Sequence, residues 1–190
     1  MPFGVTNFGL MNKFKLALLL AALISTPTWS KDSVLDKAAT VLVEDHDVSV
    51  TIAERIKNAL RSALPGTQLP TPLVLAIMKV ESGFDPAAKG GGGAAGLMQV
   101  MPKVHLGRVR DISEKPHLTV NGAQSELMKV DVNVEAGVGI LADCYAKHKG
   151  NMDRTAECYN GYNNPKGIAY RAKVLRAYRE FSTALGFQPK

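Results

Sequence analysis

Glu81 is the residue of this sequence whose surroundings most directly suggest catalytic chemistry. It follows a nearly unbroken apolar run from Leu73 to Val80. An ionised carboxylate is costly to bury, so apolar neighbours raise its pKa, and the negative end of a helix dipole acts in the same direction. A glutamate with a raised pKa stays protonated near neutral pH and can act as a general acid. The alternative is that Glu81 lies on the exposed rim of a last helical turn.

Short motifs surround Glu81 in a characteristic order along the chain. Glu81-Ser82 is followed by Gly96-Leu97-Met98-Gln99, by Asn133-Val134-Glu135-Ala136-Gly137, and then by Tyr159-Asn160-Gly161. Each motif alone is weak. The ordered set resembles the family of soluble lytic transglycosylases, which is related to goose-type lysozyme, and the resemblance covers about residues 68–182.

The resemblance implies a lysozyme-like α fold and an enzyme that cuts the glycan strands of peptidoglycan. The bond would be the β-1,4 link from N-acetylmuramic acid to N-acetylglucosamine. Glu81 would protonate the glycosidic oxygen and then take the proton of the C6 hydroxyl of the same sugar. Attack by that hydroxyl closes a 1,6-anhydro ring without consuming water.

Roles for the other motif residues are implied by the same resemblance. Ser82 and Gln99 would hydrogen-bond the sugar and its N-acetyl group, and Met98 would line the groove. Tyr159 would hold the catalytic carboxylate by a hydrogen bond, and Asn160 would brace the same loop or contact substrate. From the residues alone, Met98 fits a core position equally well, Ser82 a backbone cap near the helix end, and Asn160 a simple turn.

Two other functions fit the same pattern. A hydrolytic muramidase of this fold would need a second carboxylate at ~5 to 9.5 Å from Glu81. Asp85 is the near candidate, but Asp85-Pro86 indicates a turn. A non-catalytic module that binds the wall or an assembly would not need Glu81. We expect the transglycosylase, serving general wall turnover, a phage, or, as the favoured case, a conjugation or secretion machine that spans the envelope.

No cofactor, metal or nucleic acid is expected to bind. The glycines of Gly91-x-Gly93-x-x-Gly96 have the spacing of a dinucleotide-binding fingerprint. That fingerprint requires a preceding strand, and here a predicted helix precedes it. The four histidines, at positions 46, 105, 117 and 148, lack metal-ligand spacing. No run of about five or six basic residues marks a nucleic-acid tail. The expected partners are peptidoglycan glycan strands and an envelope-spanning machine, bound by a monomer.

Helical periodicity accounts for most of the chain. Glycine and proline residues separate the helical segments, and no stretch shows the convincing alternation of apolar and polar residues that is typical of a strand. The sequence therefore predicts a mainly α, lysozyme-like single domain. The predicted helices are Thr51 to Leu64, Thr71 to Ser82 with Thr71 as cap and Pro72 first, a short one between Leu97 and Pro102, Asn133 to Lys149, one from Asn151 or Asp153 to about Tyr159, and Ile168 to Leu185.

The first 30 residues differ in kind from the rest. Lys13 and Lys15 precede an apolar run, Leu16 to Ile24, and small and polar residues follow as far as Ser30. This layout is typical of a cleaved secretory signal peptide, and the run is shorter than the ~20 apolar residues of a membrane span. We expect a signal peptide at 1–30, an N-terminal helical segment at 31–67 and a catalytic domain at 68–185. The protein would be periplasmic, and an uncleaved membrane anchor is the alternative.

The charge is basic and the cysteine count permits one disulfide. The 190 residues include 23 Lys and Arg against 17 Asp and Glu, a balance that fits polyanionic partners such as cell-wall polymer, membrane or nucleic acid.

Cys144 and Cys158 lie six residues before and eight after Gly150, on consecutive predicted helices. Similar distances from the turn place them at similar heights, and export supplies an oxidising compartment. We expect a disulfide, with two buried free thiols as the alternative.

Overall fold

The structure, a computed structural model, describes residues 31–161 and 165–188. The predicted mainly α fold is confirmed: this part of the chain forms α-helices and one short 3₁₀ turn, and its β pairing is limited to two isolated bridges, Lys89 with Ala95 and Ala95 with Val100. The helices are α1 (Lys31–His46), α2 (Val50–Ala63), α3 (Thr71–Ser82), α4 (Leu106–Ile112), α5 (Val120–Glu126), α6 (Val130–Lys147), α7 (Met152–Asn160) and α8 (Pro165–Leu185).

Helix α3 lies at the centre of the core because almost every face of it is apolar. All residues from Pro72 to Met78 are buried. Pro70 has extended backbone and its carbonyl accepts a hydrogen bond from the N–H of Leu73, so the helix begins at Thr71. The predicted start, with Thr71 as cap, was therefore wrong by one residue. Helix α8 packs along α3 and supplies much of the surface that covers it.

The first two helices belong to the same core as the rest of the fold. Helix α2 is amphipathic as predicted, and Ile56 and Leu60 on its apolar face are fully buried. This face packs against α6, while α1 packs on α2 and also contacts α8. The helices of residues 31–67 thus share one continuous hydrophobic core with those that follow.

The short helix predicted between Leu97 and Pro102 is not formed. Gly96 and Gln99 both have positive φ, 75° and 47°, which interrupts right-handed helical geometry. A turn over residues 96–99 and the isolated bridges take its place. Farther along, before α6, the chain forms the two short helices α4 and α5, which were not predicted.

Helices α6 and α7 form the helical hairpin that the glycine at position 150 indicated. Helix α6 begins at Val130 rather than at the predicted Asn133. Gly150 is in the left-handed region at φ 79°, and the Asn151 side chain caps α7 by accepting the N–H of Arg154. Across the described ranges, none of the helices has the length and apolar character needed to cross a bilayer. The predicted signal peptide, residues 1–30, lies outside those ranges.

Candidate active site

Glu81 lies in the last turn of α3, where the buried helix reaches the surface. Its side chain is partly buried, which is intermediate between the two positions that the sequence allowed. Gly83, at φ 61°, ends the helix and donates its N–H to the carbonyl of Lys79. Phe84, at φ 69°, then returns the chain to the core, where its ring is buried. The abrupt end of α3 leaves the carboxyl group at the edge of the core.

Tyr170 on α8, and not Tyr159, holds the Glu81 carboxyl group. The Tyr170 hydroxyl donates a hydrogen bond of 2.6 Å to Oε1 of Glu81. The Tyr159 hydroxyl donates instead to the backbone carbonyl of Met98, at 2.8 Å. The predicted hydrogen bond from Tyr159 to Glu81 was therefore wrong. Tyr170 was missed as the partner of Glu81 because its helical spacing with Tyr178 favours a core position.

The surroundings of Glu81 raise its pKa above the ordinary value of a glutamate. Burial is the larger effect, and the hydrogen bond from Tyr170 opposes it by favouring the ionised form. Burial and then the nearby negative charge of Glu81 raise the pKa values of Tyr159 and Tyr170 well above the ordinary tyrosine value. Both phenols therefore remain protonated hydrogen-bond donors throughout the neutral range.

The Gly-Leu-Met-Gln motif forms a tightly packed bend, and its methionine belongs to the core. Met98 is fully buried, and its side chain lies so close to Gly137 on α6 that a Cβ at that glycine would overlap it. The prediction that the Met98 side chain lines a groove was therefore wrong. Gly96 has φ 75° and lies equally close to the Leu127 carbonyl, so any side chain there would collide with the backbone.

Asn133 at the start of α6 fixes this bend from behind. Its Nδ2 donates to the carbonyls of Ala95 and Leu127, both at 2.8 Å, and its Oδ1 accepts the N–H of Met98 at 2.8 Å. The side chain is almost completely buried. The asparagine was noticed in the sequence as part of a motif, but its function as a clamp on the bend was not predicted.

Ser82 connects the end of α3 to the same bend. Its Oγ lies 2.8 Å from the carbonyl of Leu97 and 3.2 Å from that of Met78. A serine has a single hydroxyl proton, so it donates to one of these carbonyls at a time. The contact joins the residue after Glu81 to the Gly-Leu-Met-Gln motif. The predicted contact of Ser82 with a sugar stays a prediction.

Gln99 organises the glycine-rich segment 88–96, which we call the glycine loop. Its Nε2 donates to the carbonyls of Ala88 and Gly96, at 3.1 and 3.0 Å, and its Oε1 lies against Gly90. Gln124 on α5 holds the loop from its far side by donating to the carbonyl of Gly93 at 3.1 Å. Gln99 thus stabilises the loop, and its predicted contact with an N-acetyl group stays a prediction.

The arrangement of these motifs matches a known family model. The model described as the transglycosylase SLT domain matches residues 59–183, well over half of the chain. The chain belongs to the transglycosylase SLT domain family. The family match begins inside α2 and ends in α8, so it includes Glu81, the clamp residue Asn133 and Tyr170.

Similar proteins agree with this membership, and a solved structure shares the fold. The chain is 30% identical over 174 residues to membrane-bound lytic murein transglycosylase C of Glaesserella parasuis, covering 88% of this chain and 46% of that protein. It is 26% identical over 128 residues to soluble lytic murein transglycosylase of Escherichia coli, covering 61% of this chain and 19% of that protein. The 70-kDa soluble lytic transglycosylase structure from Escherichia coli superposes with a TM-score of 0.63 at 16% identity, covering 85% of this chain and 32% of that one. The SLT-domain chain therefore spans less than half the length of these relatives.

The disulfide predicted in this SLT domain is confirmed. Cys144 on α6 and Cys158 on α7 are bonded, with their Cα atoms 5.7 Å apart. Tyr159 follows Cys158 directly, so the bridge holds the residue that contacts the Met98 carbonyl. Asn160 is the last residue of α7, and Gly161 caps the helix at φ 73°. The predicted bracing or substrate contact of Asn160 stays a prediction.

The surroundings of Glu81 contain no described second acid that affects its titration. Asp85 is exposed, and its Oδ1 accepts the N–H of Ala87 at 2.8 Å, which closes the turn expected from Asp85-Pro86. Among the residues described by the structure, only burial and Tyr170 account for the shifted pKa of Glu81. The same residues contain no cluster of His, Cys, Asp and Glu able to hold a metal ion.

Proposed function

We propose that this chain is an exported peptidoglycan lytic transglycosylase that cleaves the β-1,4 bond between N-acetylmuramic acid and N-acetylglucosamine. The observation that carries the proposal is Glu81, a partly buried carboxyl group with a raised pKa and a hydrogen bond from Tyr170. Membership of the SLT-domain family supports the substrate class, since the named relatives are lytic murein transglycosylases.

Glu81 acts first as a general acid and then as a general base. In the first step its carboxyl proton passes to the glycosidic oxygen while the bond from that oxygen to C1 of N-acetylmuramic acid breaks. In the second step the Glu81 carboxylate removes the proton of the C6 hydroxyl of the same sugar, whose oxygen bonds to C1. A 1,6-anhydro ring forms, Glu81 is protonated again, and no water is consumed.

A single carboxylate is sufficient for this reaction because the substrate supplies its own nucleophile. A hydrolase would need a second Asp or Glu, at ~5 to 9.5 Å from the acid, to bind an intermediate or activate water. Asp85, the nearest candidate in sequence, is exposed and engaged in its own turn. The raised pKa of Glu81 keeps the acid form available, and Tyr170 keeps one carboxyl oxygen in place while the other reacts.

The remaining motif residues divide into positioning and binding groups. Asn133 and Tyr159 position the bend that carries Gln99, and the buried Met98 forms part of that support. We assign sugar and N-acetyl contacts to Ser82 and Gln99, whose side chains are partly exposed. Asn160 is also partly exposed and is assigned a contact with substrate or with the neighbouring loop.

We place the enzyme in the periplasm, delivered by a signal peptide at residues 1–30. The charged and apolar layout of Lys13, Lys15 and Leu16 to Ile24 supports export, and the disulfide fits an oxidising compartment. Its proposed biological use is local opening of the wall for a conjugation, secretion or phage machine. Comparing assembly of such a machine in cells with and without Glu81→Gln would test that use.

Product analysis is the decisive experiment. Purified peptidoglycan is digested with the wild-type protein and with Glu81→Gln, and the soluble fragments are identified by mass spectrometry. We expect 1,6-anhydro-N-acetylmuramyl ends from the wild type and no fragments from the variant. Fragments heavier by one water would identify a hydrolase, and binding to the wall without release of fragments would identify a non-catalytic module.

A further inference from the structure

The positive charge of this protein is concentrated on its last helix. Residues 31–161 contain 15 basic and 16 acidic side chains, so their formal charges nearly cancel. Helix α8, by contrast, contains five basic residues and one acidic residue, Glu180. The net positive charge beyond residue 30 therefore comes mainly from this one helix.

Three of these basic residues form what we call the basic face of α8: Lys173, Arg176 and Arg179. All three are exposed, and their spacing of three residues places them on one side of the helix along about 9 Å. Within residues 31–161 and 165–188, none of the three forms an ion pair. Arg171, by contrast, turns towards α7 and pairs with Asp153 and Glu157, at 3.4 and 2.8 Å.

The single acidic residue of α8 makes its ion pair outside this face. Glu180 pairs with Lys79 of α3 at 2.8 Å, and this hydrogen-bonded contact lowers the pKa of the Glu180 carboxyl group. The main partner of its charge therefore lies outside the helix. Glu180 also interacts electrostatically with Arg176, and with three basic residues against this one acid the basic face keeps a net positive charge.

An exposed apolar side chain lies near each end of α8. Ile168 near the start of the helix is 54% exposed, and Phe187 just beyond its end is 37% exposed. Phe187 also borders an apolar pocket of about 650 Å³, which Leu64, Leu69 and Leu185 help to line. Basic side chains at a surface are attracted to anionic lipid headgroups, and exposed apolar side chains on the same element can enter the interface of the membrane.

We propose that α8 is a docking surface for an anionic phospholipid bilayer, with the basic face on the headgroups and Ile168 and Phe187 entering the interface. Carboxylates of the wall polymer would match the cations, but they give no reason for exposed apolar side chains at both ends. Because Tyr170 lies on the same helix and contacts Glu81, docking brings the candidate active site close to the membrane surface. The proposal does not depend on the proposed enzymatic activity.

Vesicle flotation tests the proposal directly. The purified protein is mixed with vesicles of phosphatidylcholine alone or with phosphatidylglycerol added, and the bound fraction is measured at increasing salt. The test variant carries Lys173→Gln, Arg176→Gln and Arg179→Gln. The matched control removes three exposed charges elsewhere, through Arg55→Gln, Lys103→Gln and Lys147→Gln. Unchanged melting temperatures establish that both variants are folded, and the single change Arg176→Gln provides a milder second test.

We expect the wild type and the matched control to bind the anionic vesicles, with binding weakened by salt, and neither to bind phosphatidylcholine alone. Binding of the triple variant should be weaker by about tenfold or more, because each basic residue near an anionic surface contributes to affinity. Equal binding of the triple variant and the control would overturn the proposal. Binding to purified wall sacculi without binding to vesicles would also overturn it, in favour of carboxylates in the wall.

Discussion

The Tyr170 hydroxyl and the Glu81 carboxyl group are joined by a hydrogen bond of 2.6 Å, although 89 positions separate the two residues in the chain. The contact exists because α8 packs along α3, so that the start of one helix meets the end of the other. It orients the carboxyl group and partly offsets the effect of burial on its pKa. The catalytic predictions below depend on this pair.

Replacing Tyr170 by Phe removes the hydrogen bond while keeping the ring. We expect kcat to fall by about tenfold, because a hydrogen bond to a charged group contributes ~1.5 to 3 kcal/mol. We also expect the pKa of Glu81 to rise, since the lost bond favoured the ionised form. The alkaline limb of the pH–kcat profile, where the acid loses its proton, should therefore move to higher pH.

Tyr159→Phe is the matched control for that experiment. It removes the hydrogen bond to the Met98 carbonyl and leaves the one to Glu81 in place. This variant should lose stability by about 1–3 kcal/mol, because a buried carbonyl is left without a donor. Its pH–kcat profile should keep the wild-type alkaline limb. An equal shift in both variants would contradict the separate roles of the two tyrosines.

The stability of Glu81→Gln should depend on pH in a defined direction. The folded-state pKa of Glu81 lies above its unfolded value, so ionisation opposes folding as the pH rises from the unfolded towards the folded pKa. Removing the charge should leave the variant as stable as the wild type, or more stable, at pH 7. The advantage should disappear below about pH 4, near the unfolded pKa of glutamate. Urea unfolding at pH 7 and below about pH 4 measures the difference in stability between the variant and the wild type. A clear loss of stability in the variant at pH 7 would contradict the burial of Glu81.

Asn133→Ala should destabilise the protein strongly. Its side chain makes three buried hydrogen bonds, so the change leaves the Met98 N–H and the carbonyls of Ala95 and Leu127 without that partner. We expect a loss of about 3 kcal/mol or more, from the cost of unsatisfied buried groups. Urea unfolding measures the loss. Asn121→Ala, at an exposed site on α5, is the control and should change stability by less than about 0.5 kcal/mol.

The disulfide should contribute to both stability and activity. Closing a loop with a sequence separation of 14 should stabilise the fold by about 3 kcal/mol in the chain-entropy model. Cys144→Ser with Cys158→Ser should therefore lower the melting temperature, and activity should fall because Tyr159 is held less firmly against the Met98 carbonyl. Thiol titration of the denatured, unreduced protein should find no free thiol. Unchanged melting temperature and activity in the double variant would contradict this role.

The sequence by itself predicted most of the helices and proposed the candidate acid. Helix α2 was predictable because apolar residues recur every four positions, and α3 because an apolar run is bounded by proline and glycine. The Cys144–Cys158 bridge was predictable because the two residues lie at similar distances from Gly150. In an antiparallel helical hairpin, residues at similar distances from the turn lie at similar heights along the two helices. Glu81 was proposed because a carboxyl group at the end of an apolar helix is unusual on physical grounds and because the ordered motifs around it resemble those of the lytic transglycosylases.

Tertiary structure alone decided which side chains meet at Glu81. Tyr159 lies in a motif and Tyr170 does not stand out, yet the packing of α8 on α3 gives the hydrogen bond to Tyr170. Met98 is buried because Gly137, on a distant helix, has no side chain to exclude it. These contacts are set by the way helices pack across long sequence separations, and neither periodicity nor spacing carries that information. The sequence proposed which residue is the acid, and the packing of the helices determined which side chain orients its carboxyl group.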